Sequence, residues 1–192
     1  MPDKKSADSE NTFLRDIKKL REQAKASLEK GAITSHYGTD ADKAVTLLQT
    51  ALASEIVCVL RYTMNSIAVA GINSSAVAEE FMEHANEERA HMQMIAERID
   101  QLGGEPNFNP EGLVSRSATE YGKGGTLVDM VKQNLVAERI AIEHYLDLIR
   151  FFGDKDPTTR IMFEAILKDE EEHATDMHDL LVAHEGKPML PD

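Results

Sequence analysis

The chain has a single cysteine, Cys58, and no tryptophan among its 192 residues. One thiol excludes an intrachain disulfide and any zinc or rubredoxin-type iron site built from cysteines. Basic charge is also short. The 21 Lys and Arg face 34 Asp and Glu, and the resulting net charge of −13 argues against a surface that grips nucleic acid throughout. The same acidity suits a protein that attracts cations. The opening residues, MPDKKSADSENT, hold no apolar run, so no secretory leader is expected. No stretch approaches the ~20 uninterrupted apolar residues of a membrane span. A cytoplasmic location without a membrane partner is the expectation.

What is present favours helix. Ala, Leu, Glu and Met are frequent in the middle of the chain, where Gly and Pro are few. The length suits one domain with a sizeable core. Residues 1–8 read as a tail. Residues 9–30 carry helical periodicity, with Ser9 as cap, Phe13, Ile17, Leu20, Ala24 and Leu28 on one face, and Gly31 as terminator. This segment holds eight Lys/Arg and six Asp/Glu, so it is net +2 while the remainder is −15.

Four longer helical segments follow. They run from about Asp40 to Ala70, from Ser74 to Gly103-Gly104, from Thr126 to Gly153, and from Pro157 to Gly186. The first and second are separated by a few residues, as are the third and fourth. The second and third are separated by about 20 residues rich in Gly, Pro and Asn, enough to run the length of a bundle. The expectation is an all-α fold: an antiparallel four-helix bundle with one long crossover and an extra N-terminal helix. Its divisions are residues 1–38, 39–186 and 187–192.

Of seven histidines, only His91 and His173 stand three residues after a glutamate, Glu88 and Glu170. Such a pair shares one helix face and offers a carboxylate and an imidazole to one centre. On the other two helices, Glu55 and Glu138 each lie in the middle of an apolar stripe. The halves repeat: Tyr62 and Tyr145 follow those glutamates by seven residues, and Phe81 and Phe163 precede Glu88 and Glu170 by seven. Edge glutamates that simply reach solvent would not keep this register. Four buried carboxylates require neutralisation. No inward Lys or Arg is evident beside them, whereas two divalent cations supply +4 against −4. Oxygen and imidazole donors suit iron or manganese.

These residues resemble the bacterioferritin and ferritin-like di-iron carboxylate family. SEIVCVLRY, HANEERAH, LVAERIAIEHY and LKDEEEHATDM are similar to its four helix motifs, and the likeness spans about residues 40–185. It implies two iron ions per chain, or manganese. Glu55 and Glu138 would be terminal ligands, Glu88 and Glu170 would bridge, and His91 and His173 would each take one ion. Tyr62 would act beside the site in handling electrons or oxygen species, or simply pack. Asp169 and Glu87 would orient the opposite histidines. The family's haem-ligating methionine position is Arg89 here, so no haem is expected. No fifth short helix follows the fourth. That is more like the dodecameric starvation-protein-like relatives, so twelve subunits are favoured over 24.

The function implied is a ferroxidase that oxidises Fe(II) with dioxygen or hydrogen peroxide, for iron storage and detoxification in a hollow homo-oligomer. One alternative is a di-iron or di-manganese enzyme that consumes peroxide without storage. Another is a DNA-protecting shell whose basic N-terminal segment grips phosphates, a weaker expectation because six acids dilute its charge.

Overall fold

The computed structural model describes residues 16–26, 28–69 and 74–185. Two long helical hairpins dominate it. Helix α1, Ile17–Gln23, and a 3₁₀ turn at Leu28–Lys30 precede them. The first hairpin is α2, Ala41–Ala68, and α3, Ser74–Gln101. A crossover carrying the short α4, Leu113–Arg116, leads to the second hairpin of α5, Leu127–Phe152, and α6, Pro157–Glu185. Each 28-residue helix spans about 42 Å. The expected all-α bundle with one long crossover is the observed architecture.

The sequence sets the helix ends. Asp40 caps α2 by accepting from the Lys43 amide at 2.9 Å. Thr126 and Asp129 form a reciprocal capping box at the start of α5. Gly103, at φ 75°, turns the chain out of α3 in the left-handed region that favours glycine. Pro157 opens α6, where its missing amide costs nothing.

Most of the core lies in two apolar blocks along the bundle axis, with a small third cluster of Ala53, Val57 and Leu113 under the crossover. One is built around Leu48, Leu52, Ile95, Ile99, Phe152 and Phe163. The other is built around Tyr62, Val77, Phe81, Val131, Met177 and Leu181. Glu55, Glu88, Glu138 and Glu170 fall between the blocks in sequence on all four long helices, and all are buried. By length and composition α2 would suffice to cross a membrane, yet half of that apolar stretch is buried inside the bundle.

The N-terminal helix is shorter than the periodicity predicts. Ser9 and Phe13 lie outside the described residues, the helix ends at Gln23, and Ile17, Leu20 and Leu28 are exposed. Seven residues are too few to sustain a helix without a packed face, and this face does not pack on its own bundle. The following segment is better anchored. Gly38 passes so close to the α5–α6 turn that a Cβ would come within 2.5 Å of the Lys155 carbonyl oxygen. Tyr37 donates to Asp156 at 2.6 Å.

Asp156 is the knot at that end of the bundle. It also accepts from Arg98 Nη2 at 2.9 Å and from the Thr159 amide at 3.0 Å, and it is buried. Asp156→Ala leaves the Arg98 guanidinium buried without its carboxylate. The expected cost is about 3 kcal/mol, read as a lower midpoint in urea or thermal unfolding followed by helical circular dichroism.

Candidate metal centre

Each of the four long helices turns one glutamate into the gap between the apolar blocks. Glu55 comes from α2, Glu88 from α3, Glu138 from α5 and Glu170 from α6, all 1% exposed or less. His91 and His173 join them one turn along α3 and α6. One donor atom from each of Glu55, Glu88, His91 and Glu170 lies within 4.8 Å of the others, and the same holds for Glu88, Glu138, Glu170 and His173. The two groups overlap in Glu88 and Glu170. The fold therefore brings together all six side chains singled out from sequence.

The outer contacts decide which atoms face inward. Both histidines turn Nε2 away from the gap. His91 Nε2 lies 3.3 Å from Asp169 on α6, and His173 Nε2 lies 2.7 Å from Glu87 on α3. A proton held on each Nε2 by these carboxylates leaves the Nδ1 lone pairs pointing into the centre. His91 Nδ1 stands 3.2 Å from Glu170 and 3.5 Å from Glu88, and His173 Nδ1 stands 3.6 Å from Glu88.

The tyrosines act in the same crossed fashion. The Tyr62 hydroxyl donates to Glu138 Oε1 at 2.5 Å, and the Tyr145 hydroxyl donates to Glu55 Oε1. Each fixes one oxygen and leaves the other free. At the centre, eight buried atoms then have no hydrogen-bond partner: Oε2 of Glu55 and Glu138, both oxygens of Glu88 and Glu170, and Nδ1 of His91 and His173. Orphaned buried atoms are costly. Here they are all lone-pair donors aimed into one gap, with the hard oxygen and imidazole character that suits iron or manganese.

Electrostatics reflect the crowding. Burial, and then the Glu88 and Glu170 carboxylates, push Glu55 and Glu138 well above the usual carboxylate range. Burial would raise Glu88 too, but the Glu55 carboxyl and the two imidazoles beside it outweigh that and hold it well below. Burial opposes charge on His173, yet Glu170 and Glu88 prevail and push it up to about 12, so the Nδ1 lone pair holds a proton that a cation entering the centre displaces. His91 is raised in the same way.

Arg61 and His84 join the centre without having been singled out from sequence, and Tyr145, named there only for its spacing, takes a definite role. Arg61 corrects the expectation of no inward cation. It is 1% exposed, and its guanidinium lies 3.8 Å from Glu138 Oε1. It donates to Asn134 at 2.7 Å and to the Glu120 carbonyl of the crossover at 3.0 Å. Its place three residues after Cys58 and four after Val57, both apolar and buried, was the available signal. Tyr145 stands to Glu55 as Tyr62 stands to Glu138, which the repeat of the halves already hinted. His84, four residues before Glu88 on the same face, stacks on His173 with ring centroids 4.1 Å apart.

A ferritin-like domain family matches residues 45–185. The DNA protection during starvation protein of Pyrococcus furiosus is 32% identical over 159 residues, covering 81% of this chain and 84% of that one. A bacterioferritin of Desulfovibrio desulfuricans is 26% identical over 134 residues, covering 69% and 71%. Among solved structures, the dodecameric thioferritin, a bacterioferritin-related protein of Bacteroides fragilis, superposes with TM-score 0.73 at 33% identity, covering 79% of this chain and 93% of that one.

Proton uptake by the same groups ties the centre to stability. Glu55 and Glu138 are raised above 4.5, and His173 is raised from 6.5 to about 12, so the folded chain binds these protons more firmly than the unfolded one. Their contribution to stability then falls as pH rises above about 4.5 and continues to fall above about 6.5, against the smaller opposite effect of His84 and His144, which burial lowers. Glu88, whose value is depressed, acts in the opposite sense only below that window. Chelator-treated protein is expected to melt at a lower temperature near pH ~8.5 than near ~5.5, and added Mn(II) is expected to abolish that difference by stabilising the protein at the higher pH. A midpoint that holds or climbs with pH would contradict this electrostatic picture.

Proposed function

The chain belongs to the ferritin-like family, and from that premise we propose that it is a ferroxidase. Glu55, Glu88, His91 and Glu170 take one Fe(II), and Glu88, Glu138, Glu170 and His173 take the other. What supports the reading is the set of eight buried, unpartnered donor atoms divided into two overlapping groups. The shared Glu88 and Glu170 keep the two substrate ions adjacent, so a two-electron oxidant meets two one-electron donors at once. Each Fe(II) gives up one electron. Dioxygen with two electrons and two protons becomes hydrogen peroxide; peroxide with the same becomes water.

The protein's own part is positioning and charge. Tyr62 and Tyr145 steady the terminal carboxylates. Asp169 and Glu87 keep the histidine lone pairs inward. The two apolar blocks limit water at either end, which strengthens each electrostatic contact within. We propose further that twelve copies form a hollow shell in which ferric product is kept. The support is the 33% identity to the dodecameric protein of B. fragilis. Mass measurement in solution checks the subunit number.

Anaerobic titration is expected to show two Fe(II) per chain, followed by fast oxidation when dioxygen or peroxide is admitted. Glu88→Ala or Glu170→Ala should reduce oxidation to the rate of buffer alone while leaving helical content intact. Retained wild-type rates in both variants would refute the assignment.

A second reading, protection of DNA by the assembled shell, is favoured by the 32% identity to the P. furiosus protein. Its chemical basis is the eight Lys and Arg among residues 1–30. It predicts a gel shift that weakens steeply with salt and disappears when residues 1–30 are deleted. A shift unaffected by the deletion would exclude this segment as the contact.

A further inference from the structure

The outer face of α5 carries an apolar strip that the bundle only partly covers. Val136 is 58% exposed there, beside Ile140 and Ile142. Between this strip and the crossover lies a groove of about 200 Å³. Glu120 and Gly122 wall it on one side, and Lys132, Val136, Ala137 and Ile140 on the other. The crossover runs close to the helix here. A Cβ on Gly122 would come within 2.4 Å of Gln133 Oε1 and 3.2 Å of Arg61 Cδ. Glu120 is also the residue whose carbonyl accepts from Arg61. The far wall of the groove is thus the stretch that holds Arg61 beside the carboxylate centre.

Lys132, at the mouth of the groove, donates to Glu185, the last residue of α6. The end of α6 is therefore one side chain away. The next seven residues, GKPMLPD, lie outside the described residues. Their chemistry suits a return over α5. Gly186 permits a reversal, and Pro188 lacks the amide that a continued helix needs. The apolar pair Met189 and Leu190 follows within about 17 Å of extended chain. Val136 and Ile140 stand only about 6 and 12 Å along α5 from Lys132. Charge matches as well. Arg139 borders the strip and pairs with no carboxylate among the described residues, and Asp192 comes two residues after Leu190.

We propose that residues 186–192 fold back across α5 and seat Met189 and Leu190 in this groove, as a strap that clamps the crossover to the helix. The occupant is the chain's own segment rather than a second copy. A groove of about 200 Å³ takes one or two side chains, whereas a stable contact between copies needs roughly 800 Å² from each. The Lys132–Glu185 contact keeps the segment at the mouth, so its effective concentration there is high. Seated in the groove, the strap covers Glu120 and Gly122 and steadies the carbonyl that Arg61 uses. None of this depends on what the carboxylate centre holds.

The test is made on the full-length chain with Val136→Cys and Leu190→Cys together; the native Cys58 is buried. Mild oxidation with diamide is expected to join the two new thiols within one chain, seen as a faster monomer band on a non-reducing denaturing gel and as a disulfide-linked peptide pair after digestion. Ile161→Cys with Leu190→Cys is the control. That position is exposed near the start of α6, about 36 Å from Glu185, and should give no link. In Val136→Cys alone, the rate of reaction with a maleimide is expected to rise about tenfold on deleting residues 187–192 or on Leu190→Asp, the shift that burial of one leucine side chain supports. A disulfide-linked dimer would place a second copy in the groove instead. That result, the absence of any link, or a maleimide rate indifferent to the deletion would overturn the proposal.

Discussion

Four carboxyl groups buried at one level of a helical bundle impose the constraint to which everything else answers. Carboxylates stripped of water repel one another strongly in a medium of low polarisability. The protein does not relieve this with lysines or by letting the side chains escape to solvent. It surrounds Glu55, Glu88, Glu138 and Glu170 with two imidazoles, two tyrosine hydroxyls and one guanidinium, and closes both ends with apolar side chains. Six oxygens and two nitrogens are left facing inward without partners. A centre so arranged offers its lone pairs to cations, or to protons in their stead.

The same contacts assemble the bundle. Tyr62 to Glu138 and Tyr145 to Glu55 both run between α2 and α5. His91 to Asp169 and His173 to Glu87 both run between α3 and α6. All four therefore join one hairpin to the other, and none joins helices within a hairpin. Each hairpin folds on its own apolar stripe, while polar contacts set how the pair registers. Buried polar networks of this kind specify a single arrangement because any slip leaves several groups unsatisfied at once.

Much of this was legible from the residues. Helix limits at Asp40, Thr126, Gly153 and Pro157 follow local chemistry that acts within a few residues, so they could be read directly. The six donors were legible because the two halves repeat their spacing. Arg61 was not, because an arginine at the margin of an apolar stripe reads as a solvent-facing residue. What buries it is the Glu120 carbonyl, delivered by a crossover whose path has no periodicity to read. His84 was passed over because it has no glutamate three residues before it; its partners Glu80 and Asp176 lie one turn away and on another helix. The N-terminal helix is present but ends at Gln23, short of Lys30, because amphipathic spacing promises a face but not a surface to cover it.

Arg61 also breaks the symmetry of the repeat. It follows Glu55 by six residues, and the position six after Glu138 is His144, whose pKa burial lowers. One half carries a permanent positive charge close to Glu138, and the other carries an imidazole that is neutral at ordinary pH. On the proposed two-ion reading, the paired positions would experience unequal potentials. The one near Glu138 would attract a cation less strongly, so loading would be sequential, beginning with the one served by Glu55 and His91. A singly occupied chain would then be a distinct species with its own affinity, rather than a fleeting stage on the way to a matched pair.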